Sequence, residues 1–519
     1  MGTTHTTPAM RSNSPIVSNH GLLLSRLFGR NSFHCLVIAA LSAVILFGNL
    51  HKGDLSGYDD AAYAHEGKQI VLSGKWLEVR LNGYLDFDKP PLFVWCEAAS
   101  MKIFGISDFA AKFPAALLGL GTILLVYFIA REMTDRFWLP IIAMFVMATT
   151  QYFLKYARHA MTCVPFTFFF ALAMLGYLKG QKQQRYLFLC GIATGLANLT
   201  RSPMGWIPLV IIVLHLIVTR QSRLLWSKYM IACFLIAVLL PVTWYWSQYQ
   251  RYGTKFLSEH FANLIHHAVT EQKRDAAHRA LGFLEYPYLL LKLYWPWLPF
   301  MLIGFVGQFR KMLREREAPA SLLVIWVLCV LLPFSLAESK VLRYILAAFP
   351  AFSVLAAIIL DKYVPANLRL VSLRVIYSLM GVVVLVVVAL PGYRVRARDM
   401  RILAPVAEAA TLPEQRILLY TFGEWRWDYK NQLIWYGNRL CEQTEDLNKV
   451  RSRLELDQET VVIMDKSAFA SLAQQRSFDI EVLGESEKFV CFRRTGRAQR
   501  DGDRSCGSPK LCPPMKSTT

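Results

Sequence analysis

Eleven apolar runs dominate this sequence, each close to the roughly 20 residues a helix needs to cross a lipid bilayer. They lie near 33–50, 109–130, 137–154, 162–179, 186–199, 204–219, 229–249, 284–305, 319–336, 341–360 and 371–391. Inside a bilayer each backbone polar group must be satisfied by the protein itself, so such runs fold as a bundle of spanning helices. The charge pattern agrees. The 519 residues carry 57 Lys and Arg against 37 Asp and Glu, a net charge of +20, yet only 18% are charged. The bases sit between apolar runs, whereas a nucleic-acid-binding protein gathers them on a polar surface. Ten cysteines are scattered without a CxxC pair, and Cys35, Cys163, Cys190, Cys233 and Cys329 lie in or beside apolar segments. That argues against a structural zinc site or a disulfide scaffold. Cys441 and Cys491 share the polar C-terminal region and could pair if it is extracytoplasmic, although two cysteines in one domain are more often unpaired.

The positive-inside rule assigns the sides. Residues 1–32 are rich in Thr, Ser and Asn, with Arg11, Arg26 and Arg30 and no acid, and read as a disordered cytoplasmic segment. The stretch 92–104 is short and contains Glu97 and Lys102, so it reads as an interfacial helix on the outer leaflet. With it outside the count, the basic loops 179–185, 220–228 and 306–318 all fall inside; counting it as a span would put all three outside. The expected fold is a polytopic α-helical membrane protein with about eleven transmembrane helices and periplasmic interfacial helices. The membrane domain runs over 33–391, with periplasmic loops at 51–108 and 250–283. A small α/β periplasmic domain follows at 392–494, with strands at 417–422 and 460–465 and a helix at 467–475. The Gly-, Ser- and Lys-rich tail 495–519 reads as disordered.

Ionisable residues at the edge of a helical bundle are costly to keep, which makes the loop 51–108 the first place to look for chemistry. Asp59, Tyr63 and Glu66 fall at helical spacing directly after the first span. Lys89 precedes Pro90 and Pro91, which fix the backbone and open the interfacial helix. Asp54, Glu78 and Asp86 read as solvated loop acids. In the second loop, His260, His266 and His278 raise the question of a divalent metal, with His260 and His278 the candidate ligands. Their spacing matches no metal signature, and the plainer reading is solvated histidine.

The run YDDAAYAHEGKQIVLSGKWLEVRLNGYLDFDKPPLFVW (58–95), continuing to residue 117, closely resembles the first periplasmic loop of the GT-C glycosyltransferases that use polyprenyl-phosphate sugars. That group includes the bacterial aminoarabinose transferases acting on lipid A and the protein O-mannosyltransferases. The resemblance continues in YARHAMTCVPFTFFFALAM (156–174), GIATGLANLTRSP (191–203), AAHRA (276–280) and SKVLRYILAAFP (339–350). It implies a GT-C fold and inverting transfer of one sugar from an undecaprenyl-phosphate donor to a periplasmic acceptor such as lipid A, another envelope glycan or a protein. The implied partners are that donor, the acceptor and membrane lipid, with no nucleic acid. On the family pattern Asp59 is the catalytic base and Asp60 a second acid that orients the acceptor or a metal. Lys89 and Arg279 pair with the donor phosphate, and Tyr63 and Tyr344 line the lipid-phosphate cavity with Lys340 and Arg343 beside them. For Lys340 and Arg343 the alternative is snorkelling at a helix end. Two positions depart from the pattern: Cys163 stands where members often carry an acid, and Ala62 where they often carry arginine. Two other classes compete. A lipid-linked sugar transporter or flippase should carry charged or broken helices at mid-membrane, whereas the charges here keep to the outer edge. A non-catalytic membrane scaffold would lack a cavity around Asp59 and Lys89.

Overall fold

The computed structural model describes residues 30–56, 59–269, 285–336, 342–363, 369–389, 398–421, 426–456, 459–474 and 479–496. The readings of disorder over most of 1–32 and 495–519 lie outside them. The chain divides into two compact units, 1–396 and 397–519.

In the first unit, α1 (Arg30–Phe47) leads through an irregular segment to α2 (Asp60–Ser73). A hairpin of β1 (Arg80–Leu81) and β2 (Tyr84–Leu85) follows, then α3 (Leu92–Phe104), which packs on α2. The bundle continues with α4 (Asp108–Met133), α5 (Trp138–Thr149), α6 (Gln151–Ala157), α7 (Cys163–Lys182), α8 (Leu187–Thr200), α9 (Ile207–Val218) and α10 (Lys228–Val269). It is completed by α11 (Glu285–Leu293), α12 (Leu298–Glu315), α13 (Ala318–Leu336), a 3-10 turn at Leu342–Ala348, α14 (Phe349–Tyr363) and α15 (Arg369–Ala389). One apolar core joins α1 to α15, from Ile38 to Met380. At its centre Trp326 stacks on Phe170 and donates its indole N–H to the Ala347 carbonyl at 2.9 Å.

A helix stands on each of the eleven apolar runs, and the 92–104 stretch is a helix of its own. Among the described residues, five stretches are long and apolar enough to cross a membrane: Asp108–Met133, Cys163–Lys182, Lys228–Asn263, Ala318–Ser335 and Arg343–Tyr363. Four shorter apolar helices accompany them. Two runs read as single helices are broken. In 137–154 the break falls at Thr150, which is extended (φ −72°, ψ 106°). The Thr149 and Thr150 hydroxyls donate to the Phe145 and Val146 carbonyls, each at 2.7 Å, competing with the helix for its acceptors. In 284–305 the break lies before Pro296, which has no N–H to donate and disfavours helix at Trp295. Close packing depends on small residues: a Cβ on Gly191 of α8 would lie 2.6 Å from the Cys233 carbonyl of α10.

The second unit contains α16 (Arg398–Ala409), β3 (Ile417–Tyr420), α17 (Arg426–Tyr436), β4 (Cys441–Thr444), α18 (Leu447–Leu456), β5 (Val461–Asp465), α19 (Lys466–Gln474), β6 (Asp479–Glu485) and β7 (Phe489–Gly496). The sheet order is β4-β3-β5-β7-β6, parallel over the first three strands and antiparallel over the rest. Leu418, Val462, Met464 and Phe492 fill one face of it. Cys441 and Cys491 are free, on strands with two others between them. Burial pushes each thiol up to about 12.

Candidate active site

Helix α2 presents Asp59, Tyr63 and Glu66 in register, as the sequence spacing anticipates. Asp59 is the N-cap residue, and its carbonyl accepts the Tyr63 N–H at 3.0 Å. Its carboxylate makes no capping bond to the helix. It faces Arg343 instead, with Oδ2 3.4 Å from Nη2, and both side chains keep about a fifth of their surface exposed (19% and 20%).

Lys89 approaches from the loop before α3. Its ammonium donates to the Tyr63 hydroxyl and lies 3.2 Å from Asp88 Oδ2. It also sits 4.9 Å from the centre of the Tyr63 ring, which stands edge-on to Phe93. Burial works against its charge, but Tyr63, Asp88 and Asp59 outweigh it and hold the ammonium well above the usual lysine range. Burial likewise raises the Tyr63 hydroxyl. Two cations from distant parts of the chain, Lys89 and Arg343, thus bear on one carboxylate, Asp59.

Below this face lie three acids. Glu66, Asp86 and Glu97 are all pushed above the ordinary carboxyl range, chiefly by burial and then by one another or by nearby acids: Asp86 acts on Glu66, Asp88 on Asp86, and Glu66 on Glu97. Of the three loop acids read as solvated, Asp54 is buried at 8% exposed, which corrects that reading, and Asp86 is half-buried. Its Oδ1 accepts the Asp88 N–H at 2.7 Å, which shapes the turn that delivers Lys89.

Asp60 is 1% exposed. Its Oδ2 lies 2.7 Å from His159 Nδ1. Burial alone would raise this carboxyl; His159, Ser56 and Lys112 together bring it below its ordinary value.

Tyr344 lies against Arg343, whose guanidinium is 5.7 Å from its ring centre, and against Phe334 at 5.5 Å. Arg201, not singled out from the sequence, stacks over the same ring at 4.3 Å. The available signal was a base at the end of an apolar run that the expected topology puts outside, where the positive-inside rule disfavours one. Cys163, 1% exposed, lies within electrostatic reach of Arg201, Arg343 and Asp60.

The structure brings Asp59, Tyr63, Lys89, Arg343 and Tyr344 to one place. Arg279, Lys340 and His278 lie outside the described residues. His260 is not a solvated histidine, and its ring is fully engaged by the protein. Nδ1 donates to the Phe87 carbonyl at 2.6 Å, and Nε2 faces the Tyr245 hydroxyl at 3.3 Å. A carbonyl only accepts, so the ring proton is on Nδ1. The imidazole ties α10 to the backbone two residues before Lys89, and this use of both nitrogens does not fit a metal ligand. Among the described residues no group of three or more His, Cys, Asp or Glu could hold a metal ion.

Several known proteins are similar to this chain. Residues 88–246 match the family model of dolichyl-phosphate-mannose-protein mannosyltransferases. An uncharacterized protein of Aquifex aeolicus is 28% identical over 358 residues, 67% of this chain and 68% of its own length. The undecaprenyl phosphate-alpha-4-amino-4-deoxy-L-arabinose arabinosyl transferase of Edwardsiella ictaluri is 26% identical over 315 residues, 58% of this chain. The match spans only 54% of that relative's length. The crystal structure of ArnT from Cupriavidus metallidurans bound to undecaprenyl phosphate shares the fold, with a TM-score of 0.70 at 17% identity over 88% of this chain and 97% of that one.

Proposed function

Because the chain is an aminoarabinose-transferase-like protein of the GT-C superfamily and a polytopic helical membrane protein, we propose that it is an inverting glycosyltransferase. It moves one sugar from an undecaprenyl-phosphate donor to a periplasmic acceptor such as lipid A, another envelope glycan or a protein. In this reading it is a multi-pass protein of the bacterial inner membrane, with its N-terminus in the cytoplasm. The membrane domain carries the site, and the α/β domain near 392–494 lies in the periplasm.

The observation that carries the proposal is the pairing of Asp59 with Arg343 at 3.4 Å, with Lys89 within electrostatic reach of the same carboxylate. Sugar transfer from a lipid phosphate needs a base for the acceptor proton and positive charge where the phosphate departs. Asp59 takes the proton of the attacking hydroxyl as its oxygen bonds to the anomeric carbon. The carbon–oxygen bond to phosphate breaks, and the phosphate leaves with the electron pair. Lys89 and Arg343 receive it, the one as a point charge oriented by Tyr63, the other as a forked donor. Arg279 and Lys340 are further candidates for the same anion. When the donor phosphate binds, before transfer, Arg343 exchanges its carboxylate partner for phosphate oxygens, which frees Asp59 to act as base.

The test is transfer by the full chain reconstituted in liposomes, supplied with undecaprenyl-phosphate-linked sugar and read by mass spectrometry of donor and acceptor. Asp59→Asn should lower turnover by about 10²–10⁴-fold. Lys89→Ala should weaken capture of undecaprenyl phosphate. Transfer that persists in Asp59→Asn overturns the base, and unchanged affinity in Lys89→Ala overturns the phosphate role.

A further inference from the structure

The segment after α1 leads to Asp59, and its described residues 48–56 contain no helix or strand. Three side chains from elsewhere hold it. Arg158 donates to the Ile45 carbonyl, to that of Leu46 at 3.1 Å and to that of Gly48 at 2.9 Å. These are carbonyls at the end of α1, which lack helical partners and favour a cation. Lys112 of α4 donates to the Gly53 carbonyl at 2.7 Å, midway along the segment. His159 takes the far end through its 2.7 Å bond to Asp60, the first residue of α2. Arg158 and His159 are neighbours in the short loop between α6 and α7, so one loop fixes both ends of the segment.

The geometry points to Arg158 and His159 as positioning residues that set Asp59 against Arg343, with Asp60 held as their anchor and not presented to substrate. The two adjacent acids therefore have different roles. Asp60 is buried with its carboxylate on His159, and a buried carboxylate needs such a partner. Asp59 is partly exposed and faces the cations. Since a misplacement of about 1 Å in a reacting group costs about 10²-fold in rate, the clamp matters to turnover without touching substrate. The word catalytic, applied to Asp59, rests on the glycosyltransferase reading; the clamp itself does not.

The two are separable by experiment on the full chain in detergent. Hydrogen exchange over residues 56–63 should quicken by about tenfold or more in His159→Ala, the loss of one charged hydrogen bond. His159→Gln retains an N–H donor for Asp60 and should stay near the parent. In the liposome assay, His159→Ala and Asp60→Asn should each lower kcat by about tenfold or more with affinity for undecaprenyl phosphate unchanged. The double variant should be no worse than the poorer single one. Arg158→Lys keeps the charge but loses the forked reach, and should quicken exchange over 45–50; it serves if His159→Ala does not fold. Unchanged exchange in His159→Ala, or in Arg158→Lys where that variant stands in, overturns the clamp. So do losses that multiply in the double variant, and a His159→Gln variant as slow as His159→Ala, which would make the imidazole itself a reacting group. A parent chain that transfers no sugar sinks the glycosyltransferase reading, while the exchange experiment still decides the clamp.

Discussion

The carboxyl of Glu97 is fully buried on α3, and neither of its oxygens has a hydrogen-bond partner among the described residues. Burial, with Glu66 and Asp60 nearby, lifts it well above the ordinary glutamate range. The folded protein therefore binds this proton more tightly than the unfolded chain, and stability falls as pH rises through the raised value. Glu97→Gln should flatten that fall in melts recorded from about pH 5 upward, just above the unperturbed value of about 4.3; an unchanged slope would show that Glu97 is not the group responsible. At this scale the sequence was partly legible. Asp59, Tyr63 and Lys89 could be read because helical spacing and a double proline restrict where such side chains go. The division of labour between Asp59 and Asp60 could not be read, because it depends on His159, 99 residues away. Arg201 escaped notice because its contact is with the face of Tyr344, which no local spacing encodes.

Among the elements, α10 contains a single non-helical residue, Gly253, at φ 60° and ψ −142°. That conformation is open to glycine and costs other residues about 1–3 kcal/mol. Nothing lies within 4 Å of where a Cβ would stand. Gly253→Ala should thus lower stability by about that amount through the backbone alone, measured as a reduced Tm in detergent; an unchanged Tm would mean the kink relaxes freely. The long helices were readable as apolar runs. Their interruptions at Thr150 and Pro296 are harder to read, because two or three residues, Thr149-Thr150-Gln151 in one run and Trp295-Pro296 in the other, change the hydrogen-bond chemistry without ending the apolar run. In the second unit the buried strands β3 and β5 were visible as Val-, Ile- and Leu-rich runs. β4, with the sequence CEQT, and the largely exposed edge strand β6 were not, since an edge strand exposes much of its surface and carries no apolar signature.

Over the whole molecule, the bases divide into two populations. Those of 179–185, 220–228 and 306–318 follow the positive-inside rule, whereas Lys89, Arg158, Arg201 and Arg343 stand on the opposite side of the proposed topology. Reporter fusions test this: alkaline phosphatase should be active when joined near residue 450 and inactive when joined near 183 or 223, and the reverse pattern would invert the orientation. The outer bases are engaged with Asp59, tyrosine rings or main-chain carbonyls. The carbonyl contacts, His260 on Phe87 and Arg158 on the end of α1, carry a consequence for inheritance. A main-chain carbonyl is common to every residue type, so these links themselves ask nothing of the side chains at 87, 45, 46 and 48, whereas positions 260 and 158 must supply the donor. Paired substitution between lineages will not betray these links. A chimera that grafts the 51–108 segment onto another bundle has to bring Lys112, whose ammonium holds the Gly53 carbonyl, and His260 with it.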